Sequence, residues 1–351
     1  MNKILSVVIP TFNMEKYLGR CLHSCIADLN EREKTALEVI VVNDGSRDKS
    51  LSIAKKFQDD YPEVFTIIDK QNGNYGSCIN AALKIAQGKY IKVLDADDWF
   101  DGREFLKLID CLIKGSDVDL VLTNYQLFMG EKKINSPVFP VHSGLYKFDE
   151  CMPSFPNMEM HFVTYKVSIL RDNNYKQTEG IFYTDQEWIF YPMLHVKTIE
   201  VLDASPYCYF LGRPGQSIDP QIVLMRIDDQ FCVLDRMLHW WSKQDCTAVS
   251  DQRKNYLLNI LRLRLLNIYK LNLIFQTDKD FDPKKLSDVD ECARDVVPDL
   301  YRDLNDAYLY KFIPIKYIKF WRTDHMRLPL WMRRIYIWSV YQIKWNLKKK
   351  L

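Results

Sequence analysis

Three carboxylates follow an apolar run in Tyr90-Ile91-Lys92-Val93-Leu94-Asp95-Ala96-Asp97-Asp98-Trp99. In an extended segment, residues two apart face the same way, so Asp95 and Asp97 can converge across Ala96. Like charges held that close repel unless a proton or a cation lies between them. A hard divalent cation with oxygen ligands would satisfy the pair and keep positions open for phosphate oxygens. A solvated acidic turn is the other reading, and the acids alone weigh equally for both. Further along, Asp185 in Phe182-Tyr183-Thr184-Asp185-Gln186-Glu187-Trp188 opens a helical pattern, as a general base or as an ordinary N-cap. Arg213 and Ser217 lie in the turn-rich Gly212-Arg213-Pro214-Gly215-Gln216-Ser217, where a solvated arginine competes with a phosphate-binding one. His161, between Met160 and Phe162, is a ligand-facing or a structural histidine.

The elements that must position these groups alternate. Strands are expected at Ile4–Ile9, Val39–Val42, Phe65–Ile68, Tyr90–Leu94 and Asp119–Thr123, and helices at Glu15–Leu29, Asp48–Phe57, Gly76–Gln87 and Arg103–Lys114. Continuous apolar strands between helices predict an α/β fold with a mainly parallel sheet covered on both faces. In such sheets the ligand lies outside the carboxyl ends of the strands. Those ends are polar here: Pro10-Thr11-Phe12-Asn13, Asn43-Asp44-Gly45-Ser46-Arg47-Asp48, Asp69-Lys70-Gln71-Asn72-Gly73-Asn74, and then the acidic cluster. Such a rim can read a base and a ribose while a metal holds a diphosphate. After about Leu127 the pattern loosens, with a helix expected at Asp185–His195 around Pro192 and a strand-pair region at Val201–Leu211. Helices are expected at Ile222–Lys243, Arg253–Phe275 and from Pro283 onward. The division expected is a catalytic region 1–220, with halves 1–125 and 126–220, and a helical region 221–351.

Composition narrows the class. The chain has 351 residues, 47% of them apolar, enough for a large core. Nine cysteines without a CxxC suit free thiols in a reducing compartment. The run Ile4–Ile9 is too short for a signal peptide, and no stretch approaches the roughly 18 apolar residues of a membrane span. A cytoplasmic protein is expected, free or peripheral on the cytoplasmic face of the membrane. No GxGxxG opens a helix, and Walker A, HExxH and GxSxG motifs are missing.

Taken in order, VVIPTFN, VVNDGSRDKS and NGNYG followed by GKYIKVLDADDW resemble the family 2 glycosyltransferases, inverting enzymes of GT-A fold from bacterial surface-polysaccharide synthesis. The resemblance is strong over 1–125 and weaker to about 220. It implies a nucleotide-sugar donor, UDP-linked most often, and a divalent metal, Mn2+ or Mg2+. It places Pro10, Thr11, Asn13 and Glu15 along the donor pocket, Asp44 at the base with Ser46 supporting its loop, and Asn72 and Gly73 behind them. Asp95 would face ribose and metal, and Asp97 would ligate the metal. Asp185 takes the position of the catalytic base, although Thr184 replaces the usual preceding Glu. Glu187 is the fallback, or an acceptor-side group with His161. Arg213 and Ser217 fall in the loop that closes over the donor. Ile79 stands where many members carry Arg, so Lys70, Arg47 or Arg213 is left to supply positive charge. Trp99 is expected to pack beneath the acids.

Between Lys311 and Leu351 stand eleven lysines or arginines against one acid, Asp324, a net +10 that leaves −8 for the rest of a chain totalling +2. The same stretch holds nine aromatics, among them Trp321, Trp331, Trp338 and Trp345. Tyr336, Ile337, Val340, Tyr341, Lys344, Trp345 and Lys348 could form one aromatic, basic helix. An anionic membrane surface is the partner this favours, over a helix packed on its own domain or a nucleic-acid contact without any motif for one. A membrane suits a polyprenyl-diphosphate-linked or glycan acceptor. Two other functions compete: a nucleotidyltransferase, which would need a Gly-rich basic loop after the first strand, and a non-catalytic nucleotide-sugar or membrane-docking protein.

Overall fold

β-Branched runs set the sheet. The computed structural model describes residues 2–115, 117–130, 132–134, 138–155, 158–309 and 315–339. It divides into a first unit, Met1–Pro214 with Ser250–Arg253, and a second, Gly215–Val249 with Lys254–Leu351. In the first unit β1 (Leu5–Thr11), β2 (Leu37–Asp44), β3 (Phe65–Lys70) and β4 (Tyr90–Val93) pair in parallel in the order β3-β2-β1-β4. Val7, Val8, Ile9 and Val39 to Val42 are fully buried between flanking helices α1 (Leu18–Ser24), α2 (Glu31–Ala36), α3 (Ser50–Asp60), α4 (Asn74–Ile85) and α5 (Gly102–Ile113).

The rest of the sheet is mixed. It adds β5 (Trp99–Phe100), β6 (Leu120–Met129), β7 (Lys132–Ile134), β8 (Gly144–Lys147), β9 (Val163–Lys166) and β10 (Thr198–Leu211), with short helices α6 (Phe148–Cys151), α7 (Val167–Arg171) and α8 (Asp185–Trp188) between them. The path runs β3-β2-β1-β4-β9-β6-β10-β5. The fifth expected strand therefore does not join the fourth in parallel. β9 lies between β4 and β6, antiparallel to both.

Three element expectations are corrected. The helix expected over Glu15–Leu29 ends at Ser24, and α2 then starts under a capping box in which Asn30 Oδ1 accepts the Arg32 and Glu33 amides and Glu33 accepts the Asn30 amide. The helix over Asp185–His195 stops at Trp188 and resumes as a single 3-10 turn at Pro192–Leu194, since a proline ring cannot sit in a continuous helical ladder. Val201–Leu211 is one strand whose register slips between Leu202 and Tyr207, where Pro206 has no N–H to give.

The second unit is helical: α9 (Pro220–Met225), α10 (Ile227–Ser242), α11 (Asp251–Lys270), a π-helical turn at Leu271–Phe275, α12 (Pro283–Val296), α13 (Pro298–Asp303) and α14 (Tyr317–Asp324). Arg226 interrupts the expected long helix between α9 and α10. A last helix covers 330–339. Met237, Leu238, Leu257, Leu261, Tyr269, Leu286 and Ile318 form its core. Ser217 falls in this unit. All nine cysteines are unpaired. Among the described residues no helix is long and apolar enough to cross a membrane. Val340, Tyr341, Lys344, Trp345 and Lys348 lie outside the described residues.

Candidate active site

The loops at the ends of β1, β2 and β3 clamp one another. Asn13 takes a left-handed φ of 55°; its amide donates to Ser46 Oγ at 3.0 Å and its Oδ1 accepts the Arg47 amide at 2.8 Å. The Glu15 amide donates to Asp48 Oδ2 at 3.0 Å, and Glu15 Oε2 accepts the Lys49 amide at 3.1 Å. Asn13, Glu15 and Ser46 thus hold the rim together. Pro10 and Thr11 end β1 opposite Val42 and Asn43. Asp44 is buried, with Oδ1 accepting Lys70 Nζ at 2.6 Å and the Gly73 amide at 2.9 Å, while Asn72 Nδ2 donates to the Asp44 carbonyl at 3.0 Å. Lys70 also donates to the Gln71 carbonyl and Ser77, so it braces this loop. Gly45 has a φ of +74°, and a Cβ there would lie 3.1 Å from the Asn72 nitrogen, which explains a glycine at that turn.

The acids are arranged by a turn. β4 ends at Val93, and the Asp98 amide donates to the Asp95 carbonyl at 2.9 Å. The turn brings Asp98 back toward Asp95, while Asp97 stays close enough for its charge to bear on both. Ligand atoms of Asp95, Asp98 and His161 all lie within 4.8 Å of one another. Asp95 Oδ1 accepts the Tyr75 hydroxyl at 3.1 Å. Asp98 accepts the Tyr207 hydroxyl at 2.6 Å and the Phe210 amide at 2.7 Å. Asp97 is paired with Arg213 Nε, and its carbonyl accepts Arg20 Nη2 at 3.1 Å. The Arg20 guanidinium also lies 3.7 Å over the Trp99 ring, so Trp99 packs beside the acids.

Electrostatics follow from this crowding. Burial first, and then the Asp97 charge, raise Asp95 to about 7, with the Asp185 charge contributing further. Burial and the charges of Asp97 and Asp95 also push Asp98 well up. The His161 ring is buried against Tyr209 at 4.4 Å and Tyr207 at 4.6 Å, with Nδ1 3.4 Å from Glu159 Oε2. Lys92, fully buried, donates to the carbonyls of His161 at 2.8 Å and Val163 at 3.2 Å; burial lowers it to about 7.

The donor set fits a divalent cation. A half-buried carboxylate, a buried one and a buried imidazole stand within reach of one point, and a cation there offsets the repulsion that otherwise favours protonation. A mixed carboxylate–imidazole set suits Mn2+ better than Mg2+, which prefers oxygen alone.

Asp185 is half-buried and is the first residue of α8; Thr184 occupies the cap position without a capping bond. Tyr183, at φ 65°, turns the chain into that helix. Thr184 is buried and accepts Gln177 Nε2 at 2.9 Å. Glu187 is fully buried and accepts the Thr178 amide and hydroxyl, each at 2.7 Å. Ile79 is core, so it contributes no charge. Tyr75, Tyr207 and Arg20 carried no signal in the sequence, because their partners lie far away along the chain. Lys92 did carry one, as a lone charge inside an apolar strand.

A parallel half-sheet with a polar rim, continued by antiparallel strands that bring in the acids' partners, is the GT-A architecture. It is shared with the crystal structure of Staphylococcus aureus TarS 1–349 in complex with UDP-GlcNAc, at a TM-score of 0.64 and 19% identity over 85% of this chain and 82% of that one. The mannosyltransferase PcManGT from Pyrobaculum calidifontis, solved with GDP-Man and Mn2+, matches at 0.51 and 12% over 86% and 83%. Residues 6–173 match the family model Glycosyl transferase family 2. That stretch, just under half of the chain, is a family 2 glycosyltransferase domain. Poly(ribitol-phosphate) beta-N-acetylglucosaminyltransferase TarS of S. aureus is 27% identical over 226 residues, 62% of this chain and 37% of that protein. Minor teichoic acid biosynthesis protein GgaB of Bacillus subtilis is 40% identical over 97 residues, 28% of this chain and 11% of that protein. The chain thus matches little more than a third, or less, of these relatives' length.

Proposed function

We propose that this enzyme transfers a sugar, with inversion, from a nucleoside-diphosphate sugar to a hydroxyl of a glycan or polyprenyl-diphosphate-linked acceptor in bacterial surface-polymer synthesis. The observation that carries the reading is the convergence of Asp95, Asp98 and His161 beside a clamped polar rim. UDP is the favoured nucleotide, by likeness to TarS, and Mn2+ the favoured metal, from the donor set. Bound there, the metal would neutralise the leaving diphosphate as a Lewis acid.

The residues of the chain do the rest. The rim loops bind the nucleoside, with Asp44 facing the base and Asn72 and Gly73 fixing its loop. Asp95 and Asp98, with His161, would hold the metal. Arg213 takes the diphosphate charge in place of Asp97, which frees Asp97 as a further ligand. Asp185 accepts the acceptor hydroxyl's proton as oxygen attacks the anomeric carbon. A nucleotidyltransferase is disfavoured, since the loop after β1 carries no Gly-rich basic sequence. Hydrolysis and binding of UDP-, GDP- and dTDP-sugars with Mn2+ or Mg2+ test the proposal. Metal-dependent binding and slow hydrolysis of one donor class are expected; no binding and no turnover with any donor would overturn it.

A further inference from the structure

Helix 330–339 is anchored on one side and bare on the other. Arg333 is buried, donating to Asp278 Oδ1 at 2.6 Å and to the Gln276 carbonyl at 3.2 Å. Tyr336 is buried with its ring 6.0 Å from Phe275. These contacts fix the rotation of the helix. They turn Tyr336 inward. The stripe presented to solvent is Leu330, Trp331, Ile335 and Trp338, exposed by 47%, 60%, 51% and 64%, with exposed Arg334 among them. Positions 331, 334, 335 and 338 follow one helical face, about 10 Å long at 1.5 Å per residue.

We propose that this stripe seats the enzyme on an anionic bilayer, with Trp331 and Trp338 at the headgroup level, Leu330 and Ile335 below them and Arg334 on lipid phosphates. The proposal deepens the reading of a lipid-linked acceptor, by naming the face that would meet the lipid. Two observations choose this occupant. Tryptophan combines a large apolar ring with an N–H that stays wet, which suits the membrane–water boundary and not open water. The flanking charge has the complementary sign: residues 311–351 carry a net +10, against −8 elsewhere, so an anionic surface attracts this end and repels the remainder. A second copy of the chain would bring the same cationic stretch against itself.

Co-sedimentation of the full chain with phosphatidylcholine vesicles, with and without 30 mol% phosphatidylglycerol, tests this without donor or metal, so its outcome is separate from that of the catalytic proposal. Wild type is expected to partition onto the anionic vesicles with a blue-shifted tryptophan emission and to leave neutral ones largely unbound. The W331S/I335S/W338S variant should lose about tenfold or more in partitioning, and Arg334→Glu a fewfold, on the scale of about 1 kcal/mol per interfacial basic residue. Circular dichroism and sugar-donor binding should stay unchanged, since none of these side chains is buried. Wild-type protein that ignores anionic vesicles, or a triple variant that partitions as wild type does, would overturn the proposal. So would a triple variant that converts a wild-type dimer into a monomer, because the stripe would then be a subunit interface.

Discussion

At the residue scale the site is built from carboxylates in unlike settings. Asp97 has a guanidinium partner, Asp98 is held by a tyrosine hydroxyl and an amide, and Asp185 stands half-exposed at the head of a short helix. Those settings assign different tasks. Asp185→Asn keeps size and turn but removes the base, so sugar transfer is expected to fall by about 100-fold or more while donor affinity stays within about twofold. Single-turnover transfer beside donor titration checks this, and normal transfer would remove Asp185 from the mechanism. Lys92 offers a second test. Its pKa falls from 10.5 unfolded to about 7 folded, so between those values the unfolded chain holds more protons. Stability from this residue therefore rises with pH across roughly 7 to 10.5, by an amount on the order of a few kcal/mol. A neutral amine still has two N–H groups for the His161 and Val163 carbonyls. Urea unfolding from pH 7 to 10 should show that slope in wild type and a flatter one in Lys92→Met; equal slopes would place a charged ammonium in the core.

At the element scale, the loop after β4 is tied to β10, and Asp98 is the tie. Asp98→Ala removes two hydrogen bonds from a buried loop and is expected to cost about 2–4 kcal/mol, whereas Asp97→Ala, which breaks the Arg213 pair but also removes the charge that opposes ionisation of Asp95 and Asp98, should cost less. Urea midpoints of the two variants check the order, and a reversal would mean that Arg213 anchors the loop. This tie also shows what could be read from sequence. β1 to β4 were legible because each is a continuous apolar run ending in polar residues. β5 and β9 have only two and four residues, and their places are set by partners distant in sequence. The acids were visible, but the turn from Asp95 to Asp98, which adds Asp98 and His161 to the group around Asp95, could not be read from an extended chain. His161 was visible as a residue; its approach to Asp95 is created by β9 entering between β4 and β6.

At the scale of the whole molecule, the chain forms two units, each with its own core. The polar rim, the acids and Asp185 all belong to the first unit, whereas the bare aromatic stripe belongs to the second. A donor that binds where the rim places it should therefore protect amides in only one of them. Hydrogen exchange with UDP and Mn2+ is expected to slow at 10–15, 43–48, 70–77 and 94–98, where backbone amides already serve the clamped loops. Local opening of these segments is coupled to binding, so a hundredfold excess of ligand over its Kd should add about 2.7 kcal/mol of protection where binding opposes opening. Exchange in α10, α12 and 330–339 should not change. Slowed exchange in the helical unit with none at the rim would place the nucleotide outside the loops that Asn13, Asp44 and Asn72 hold together, and the assignment of the acidic turn as the diphosphate end of the site would fall with it.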